Sequence, residues 1–344
     1  MVHEITRHGG RHITLPLASK NPLVVRRNVR RLAALIEAHA IDLVHARSRA
    51  PAWSAWAAAR RTDRRFVTTF HNAYGAGTRL RRWYNSVMAR GERVIAISRF
   101  VAEHAIATYG IAPERVRVIE RGVDLLRFDP QRISQERIIR LAREWRLPDD
   151  RPVVMLPGRL TRWKGQLDLI AALALLGRSD LCCLLVGSDA GRGSFHREVE
   201  REIAARGLNS IVSCIPDCND MPAALMLADL VVSASNRPEG FGRVIVEAQA
   251  MGRPVIATDH GGARETVLPG ETGWLVPPGD PRALAGAITE GLALAPHDRL
   301  ALAERAIAHA RANFSTERMC ARTLAVYEEV LFPSFDSGLQ PGSG

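Results

Sequence analysis

The chain has 344 residues, 47% of them hydrophobic, and a formal net charge of +11, a length that suggests two domains rather than one. It has no run near the ~18 apolar residues of a membrane-spanning helix, since Leu167–Leu176 is short and interrupted by Asp168, and no signal peptide is expected, since His3, Glu4, Arg7 and His8 follow Met1. Five cysteines (182, 183, 214, 218 and 320), odd in number and without a second Cys or His pair at zinc spacing, argue against a disulfide framework or zinc site and for a reduced, cytoplasmic protein.

In chain order, Val2, Ile5 and Arg7–His8 read as the tail of a helix stopped by Gly9-Gly10, and His12–Leu17 as a strand. Strands are then expected at Asp42–His45, Phe66–Phe70, Arg93–Ile97 and Val116–Ile119. Amphipathic helices fill the intervals at Val24–His39, Ala50–Arg61, Arg79–Arg90 and Ser98–Tyr109. Residues 147–152 (LPDDRP) read as a linker. A second set of strands follows at Val153–Leu156, Leu181–Val186, Ile211–Cys214, Leu230–Ser233, Val255–Thr258 and Gly273–Val276, with helices between. Strands alternating with helices imply parallel sheets, hence two doubly wound α/β domains. The expected division is 1–148, 149–315, a last helix over 316–333 and a flexible tail over 334–344.

The charge is uneven: residues 1–150 hold 28 basic against 14 acidic residues, the remainder 19 against 22. No nucleic-acid motif accompanies the basic half, so anionic lipid headgroups are the expected surface partner, with nucleic acid excluded. The run Arg79-Leu-Arg-Arg-Trp83-Tyr84 sets cations beside two amphipathic aromatics, suited to an anionic or lipid-linked acceptor or to a solvated face with Trp83 buried.

The densest motif spans 230–265. A strand, Leu230–Ser233, leads through a loop to Glu239-Gly-Phe-Gly242 and into a helical run, Arg243–Met251, stopped by Gly252 and Pro254; a second strand then enters Gly261-Gly262. Glu239 and Glu247 are eight residues apart, which along a helix is roughly 12 Å, comparable to a nucleotide-sugar from ribose to hexose. Gly240 and Gly242 clear side chains from a helix N-terminus suited to anionic or hydroxyl-bearing ligands. Only two of the 47 basic residues are lysines, Lys20 and Lys164. Arg159 and Lys164, after the strand Val153–Leu156, offer a planar fork and a point charge to one diphosphate.

These segments, with Gly158-Arg159-Leu-Thr-Arg-Trp-Lys164-Gly165 and Ile119-Glu-Arg-Gly122-Val-Asp124-Leu-Leu-Arg-Phe128, resemble the retaining family-4 (group 1) glycosyltransferases over nearly all of 40–331. The resemblance implies the GT-B type, two Rossmann-like domains facing across a cleft, with the final helix Thr316–Leu331 crossing back to the first. It implies a nucleotide-diphosphate sugar as donor substrate, no cofactor, and a hexose passed to a glycan or lipid-linked acceptor in bacterial cell-surface polysaccharide or lipopolysaccharide synthesis. Arg159 and Lys164 would hold the diphosphate, Glu239 the sugar hydroxyls, the amides of Gly240, Phe241 and Gly242 the sugar or diphosphate, and Glu247 the ribose. Gly187 and Cys218, at strand ends, would line the base pocket. His71, after Phe66–Phe70, matches the family's first-domain histidine, and His260 with Gly261–Glu265 forms a further loop at a strand end. No Asp-x-Asp motif occurs, so metal-independent departure is expected, with cations and a helix N-terminus carrying the charge.

Against the family pattern, a first strand, glycine turn and helix should precede Val2, a piece on the order of 30 residues. The first domain is therefore expected to be truncated at its N-terminus, which leaves an inactive nucleotide-binding fragment as one competing reading. A nucleotide-sugar epimerase of the same fold is the other.

Overall fold

The computed structural model describes residues 2–75, 77–188 and 193–333; the tail expected over 334–344 lies outside them. The chain divides into two compact units. One comprises the chain up to Ile97, Ala102–Val118 and the chain from Arg322 onward; the other comprises Ser98–Val101 and Ile119–Ala321.

In the first unit, β1 (Leu43–Ala46), β2 (Arg65–Phe70), β3 (Arg93–Ala96) and β4 (Val116–Val118) form a parallel sheet in sequential order. β2 is buried from Phe66 to Phe70, as a parallel strand covered on both faces should be. The opening helix forms at Val2–Arg7, with Gly9 at φ +79° past its end. His12–Leu17 is not a strand: Leu17 N–H turns back to Leu15 O, and Pro16 O accepts from the buried Asn28 of helix Pro22–Ala38. The helix expected over Arg79–Arg90 is α-helical only through Asn85 and tightens to a 3-10 turn over Ser86–Arg90.

In the same unit, Tyr327 and Glu329 of the last helix, Thr316–Leu331, tie it to the sheet. The Glu329 carboxylate accepts from Arg93 Nε at 2.7 Å and Arg117 Nε at 3.0 Å. His45 stands between two hydroxyls, Nδ1 at 2.6 Å from Tyr327 Oη and Nε2 at 2.7 Å from Thr69 Oγ1.

The second unit is a six-stranded parallel sheet: β5 (Val153–Pro157), β6 (Cys182–Val186), β7 (Val212–Ile215), β8 (Leu230–Ser233), β9 (Val255–Thr258) and β10 (Gly273–Val276). Their order is β10-β9-β8-β5-β6-β7. β5 and β6 are buried throughout, Cys182 and Cys183 included, and helices Gln166–Leu176 and Pro281–Leu292 help to close the core. Because the chain runs from β5 to β7 on one side and from β8 to β10 on the other, β5 and β8 flank the switch point, where open α/β sheets bind ligands. Residues 119–148, expected before the linker, group with this unit. Arg137 of helix Gln135–Glu144 donates to both carboxylate oxygens of Asp220, at 2.7 and 2.9 Å. Among the described residues no helix is long and apolar enough to cross a membrane.

Candidate active site at the β5/β8 switch point

Beyond β5, Gly158 N–H donates to Val186 O and Gly187 N–H to Ile215 O, each at 2.8 Å. A Cβ on Gly187, whose φ is +145°, would lie 2.2 Å from Gly158 O, so only glycine fits this joint. The loop then passes exposed Arg159, whose carbonyl accepts from buried Gln166 at 3.0 Å, and closes in the turn Arg162–Lys164. Gly165, at φ +75°, lies against Ala234 beyond β8 so closely that a Cβ would sit 1.8 Å from Ala234 O. Asn236 N–H adds a bond to Trp163 O at 2.9 Å. The β5 loop is thereby fixed to the β8 loop.

This docking brings Lys164 to Glu239. Lys164 Nζ donates to Glu239 Oε1 at 2.7 Å, with the two side chains 15% and 19% exposed. Ser235 Oγ donates to the same oxygen. The pair expected to grip diphosphate and sugar separately is joined in this structure, so a ligand must share or open it.

Glu239 lies outside the helix, which spans Arg243–Ala250 with Gly242 as N-cap at φ +82°. The spacing to Glu247 is therefore not a helical rise along its whole length. Glu247 sits one turn inside the helix, buried, and accepts from Arg243 Nη2 at 2.6 Å across a largely exposed guanidinium. The i, i+4 spacing of Arg243 and Glu247 is the signal in the sequence for this pair. Phe241 was expected to offer its amide; its ring is buried edge-on against Phe314, with centroids 5.5 Å apart. Only its backbone is left for a ligand.

The glycine pair after β9 holds this loop from behind. Cβ atoms on Gly261 and Gly262 would meet Glu239 O and Phe241 Cα, each at 2.5 Å, and Gly262 N–H donates to Glu239 O at 2.9 Å. Ser98, which groups with this unit, donates to Gly240 O at 2.6 Å. The Ile119–Phe128 motif is a structural joint: Val123 N–H donates to Phe314 O at 2.7 Å, and a Cβ on Gly122 would lie 2.5 Å from Thr316 Cα.

Cys218 lies half-buried in the loop after β7, and burial raises its thiol pKa. His71 ends β2 in the first unit, where its backbone N–H donates to Tyr74 Oη at 3.4 Å. Arg159, Lys164, Gly187, Cys218, Glu239, Gly240, Gly242 and Glu247 all fall in loops or helix starts at the carboxyl ends of β5–β8, in the second unit.

Two Rossmann-like units with parallel sheets, and a cationic loop paired to an acidic one at the switch point, define the GT-B class. The chain belongs to the glycosyltransferases of group 1: that family model matches residues 138–311, and the Glycosyltransferase Family 4 model matches residues 3–127. It is 36% identical over 256 residues to D-inositol 3-phosphate glycosyltransferase 1 of Catenulispora acidiphila, covering 72% of this chain. The chain spans little more than half the length of such curated relatives, 59% of that protein and 52% of the Salinispora tropica counterpart. Among solved structures, a Rickettsia africae glycosyltransferase is 36% identical with a TM-score of 0.90, covering 97% of this chain and 88% of that one. Anabaena HepE, solved with UDP-glucose, is 27% identical with a TM-score of 0.82, covering 94% and 88%.

Proposed function

We propose that the protein transfers a sugar, a hexose on our reading, from a nucleotide-diphosphate donor to an acceptor hydroxyl, with retention and without a metal. The observation that carries this is the Lys164–Glu239 pair at the switch point, with Glu247 buried beneath Arg243 on the adjoining helix. Lys164 and Arg159 neutralise the leaving diphosphate, aided by the helix N-terminus at Gly242. Glu239 orients sugar hydroxyls and Glu247 the ribose. Departing phosphate takes the acceptor's proton, so no protein nucleophile is assigned. HepE, as a complex with UDP-glucose, supports the donor class. His71 stays assigned to orienting an acceptor or donor hydroxyl.

The acceptor is a glycan or glycolipid of the bacterial surface on the first reading. The relatives' name favours a second, a phosphorylated polyol such as D-inositol 3-phosphate, which the basic first 150 residues also suit. Incubation with UDP-, GDP- and ADP-linked hexoses tests the class. One donor should release nucleotide diphosphate in the presence of acceptor and otherwise be stable or slowly hydrolysed. Conversion of donor alone to its epimer would establish the competing enzyme.

We further propose that the chain is cytoplasmic and rests on anionic lipid through the first unit. Leu80 and Trp83 on helix Arg79–Asn85 are 74% and 56% exposed, beside Arg79, Arg81 and Arg82, and Leu23 is 76% exposed. Lys20 Nζ lies 5.5 Å from the Tyr84 ring centroid. Helix Pro22–Ala38 carries Arg26, Arg27, Arg30 and Arg31 with no acidic residue in its first turn, against the preference of the helix dipole. Phosphatidylcholine vesicles should sediment the protein only when phosphatidylglycerol is added, and less so in high salt or after Leu80→Ser with Trp83→Ser. Equal binding to neutral vesicles would remove the electrostatic argument.

A further inference from the structure

Behind Glu239 lies a cavity of about 10 Å³, lined in part by Ser233, Ser235, Glu239, Gly242, Thr258 and His260. Both ring nitrogens of His260 are buried, and among the described residues neither has a hydrogen-bond partner. A buried polar atom without a partner is destabilising, and such atoms are rare enough in folded proteins to require a reason. Two neighbouring hydroxyls, those of Thr258 and Ser235, are committed elsewhere. Thr258 Oγ1 donates to Ser235 O at 2.6 Å, and Ser235 Oγ donates to Glu239 Oε1, the oxygen that also receives Lys164. Ser233, the second carboxylate oxygen of Glu239 and the imidazole are left to serve an incoming group.

We propose that His260 holds one hydroxyl of the donor's sugar jointly with Glu239 and thereby sets which sugar the site accepts. This rests on the nucleotide-sugar reading above. A hydroxyl both donates and accepts: it can give its proton to the carboxylate while accepting from an imidazole N–H, or bond the ring's acceptor nitrogen. The volume suits a single oxygen-sized group and excludes a whole ring. The imidazole is held on a rigid support, because Gly261 and Gly262 lie against the backbone of Glu239–Phe241 and His260 N–H donates to Thr258 O at 2.8 Å. A side chain left unsatisfied by its own protein on so constrained a turn is placed for a ligand.

The test compares His260→Leu, which removes both nitrogens at similar size, with His260→Asn, which restores a donor and an acceptor. Melting temperature is measured without ligand, and affinity for UDP and for UDP-glucose by calorimetry. His260→Leu should melt at or above the wild-type temperature, keep its affinity for UDP, and bind UDP-glucose about 10- to 100-fold more weakly. His260→Asn should recover part of the loss. Parallel losses for both ligands, or a lowered melting temperature with unchanged affinities, would overturn the assignment and make His260 a packing group. If the wild-type chain bound neither UDP nor UDP-glucose, the donor reading would fail for these probes. The melting comparison would then decide His260 alone: a fall overturns its ligand role, and an equal or higher value upholds it.

Discussion

Replacing Lys164 with alanine is expected to lower donor turnover about 100-fold or more, the usual cost of losing one preorganised stabiliser of developing charge. Two effects add. On the proposed roles the leaving diphosphate would lose an ammonium, and Glu239 loses the partner now 2.7 Å from its Oε1. Freed, the carboxylate would keep Ser235 but stand as an uncompensated charge where the phosphate must arrive. Lys164→Arg is expected to recover little, because a planar fork cannot fill the site of a compact point charge between Glu239 and the Trp163 ring, whose centroid lies 4.7 Å from Nζ. Exposed Arg159 should behave otherwise: Arg159→Ala weakens diphosphate binding and leaves the Glu239 loop in place. Steady-state kinetics and calorimetry with free nucleotide diphosphate check both, and normal turnover in both variants would displace the phosphate site from this loop. Within the same site, Glu247→Ala should weaken nucleotide and nucleotide-sugar alike, whereas Glu239→Ala should act on the sugar.

The strands were legible where a buried parallel sheet demands an unbroken apolar run, as in Val153–Pro157 and Cys182–Val186. His12–Leu17 shows what such a pattern omits. Alternation fits a strand, but a strand also needs a neighbour to satisfy its N–H groups, and this stretch instead turns on itself against Asn28. In the candidate site, Arg159, Lys164 and Glu239 were legible as residues that each follow a strand, and chain order alone assigns those ends to one edge of the sheet. Which side chains meet there depends on contacts that no spacing encodes. The approach of Gly165 to Ala234 O selects the Lys164–Glu239 pairing, and Phe314, far along the chain, draws Phe241 into the core. His260 gave only the weak signal of a histidine at a strand end; its unpartnered nitrogens required coordinates.

His45 was invisible to motif reading for the same reason, since Tyr327 lies 282 residues away, yet it is expected to make the first unit acid-sensitive. Burial, reinforced by Arg47, lowers its pKa from 6.5 to about 4. Between those values the unfolded chain binds a proton that the folded chain refuses, so stability rises with pH across this window. His45 should therefore withdraw stability progressively as pH falls from about 6.5 toward 4, on the order of 3 kcal/mol in all. The geometry agrees: neutral imidazole can accept one hydrogen bond and donate the other between Tyr327 Oη and Thr69 Oγ1. An imidazolium must donate both, and it does so in a setting that disfavours charge. His45→Gln keeps a polar group but removes the titration. Hydrogen exchange of amides in β1 and in the last helix, measured at pH 7, 5 and 4 and corrected for intrinsic rates, should show the wild type losing protection faster than the variant. The difference should develop below pH 6.5 and be absent at pH 7 apart from a constant offset. Parallel protection profiles for the two proteins would show that His45 titrates alike in folded and unfolded chains, and the acid sensitivity would then belong to other groups.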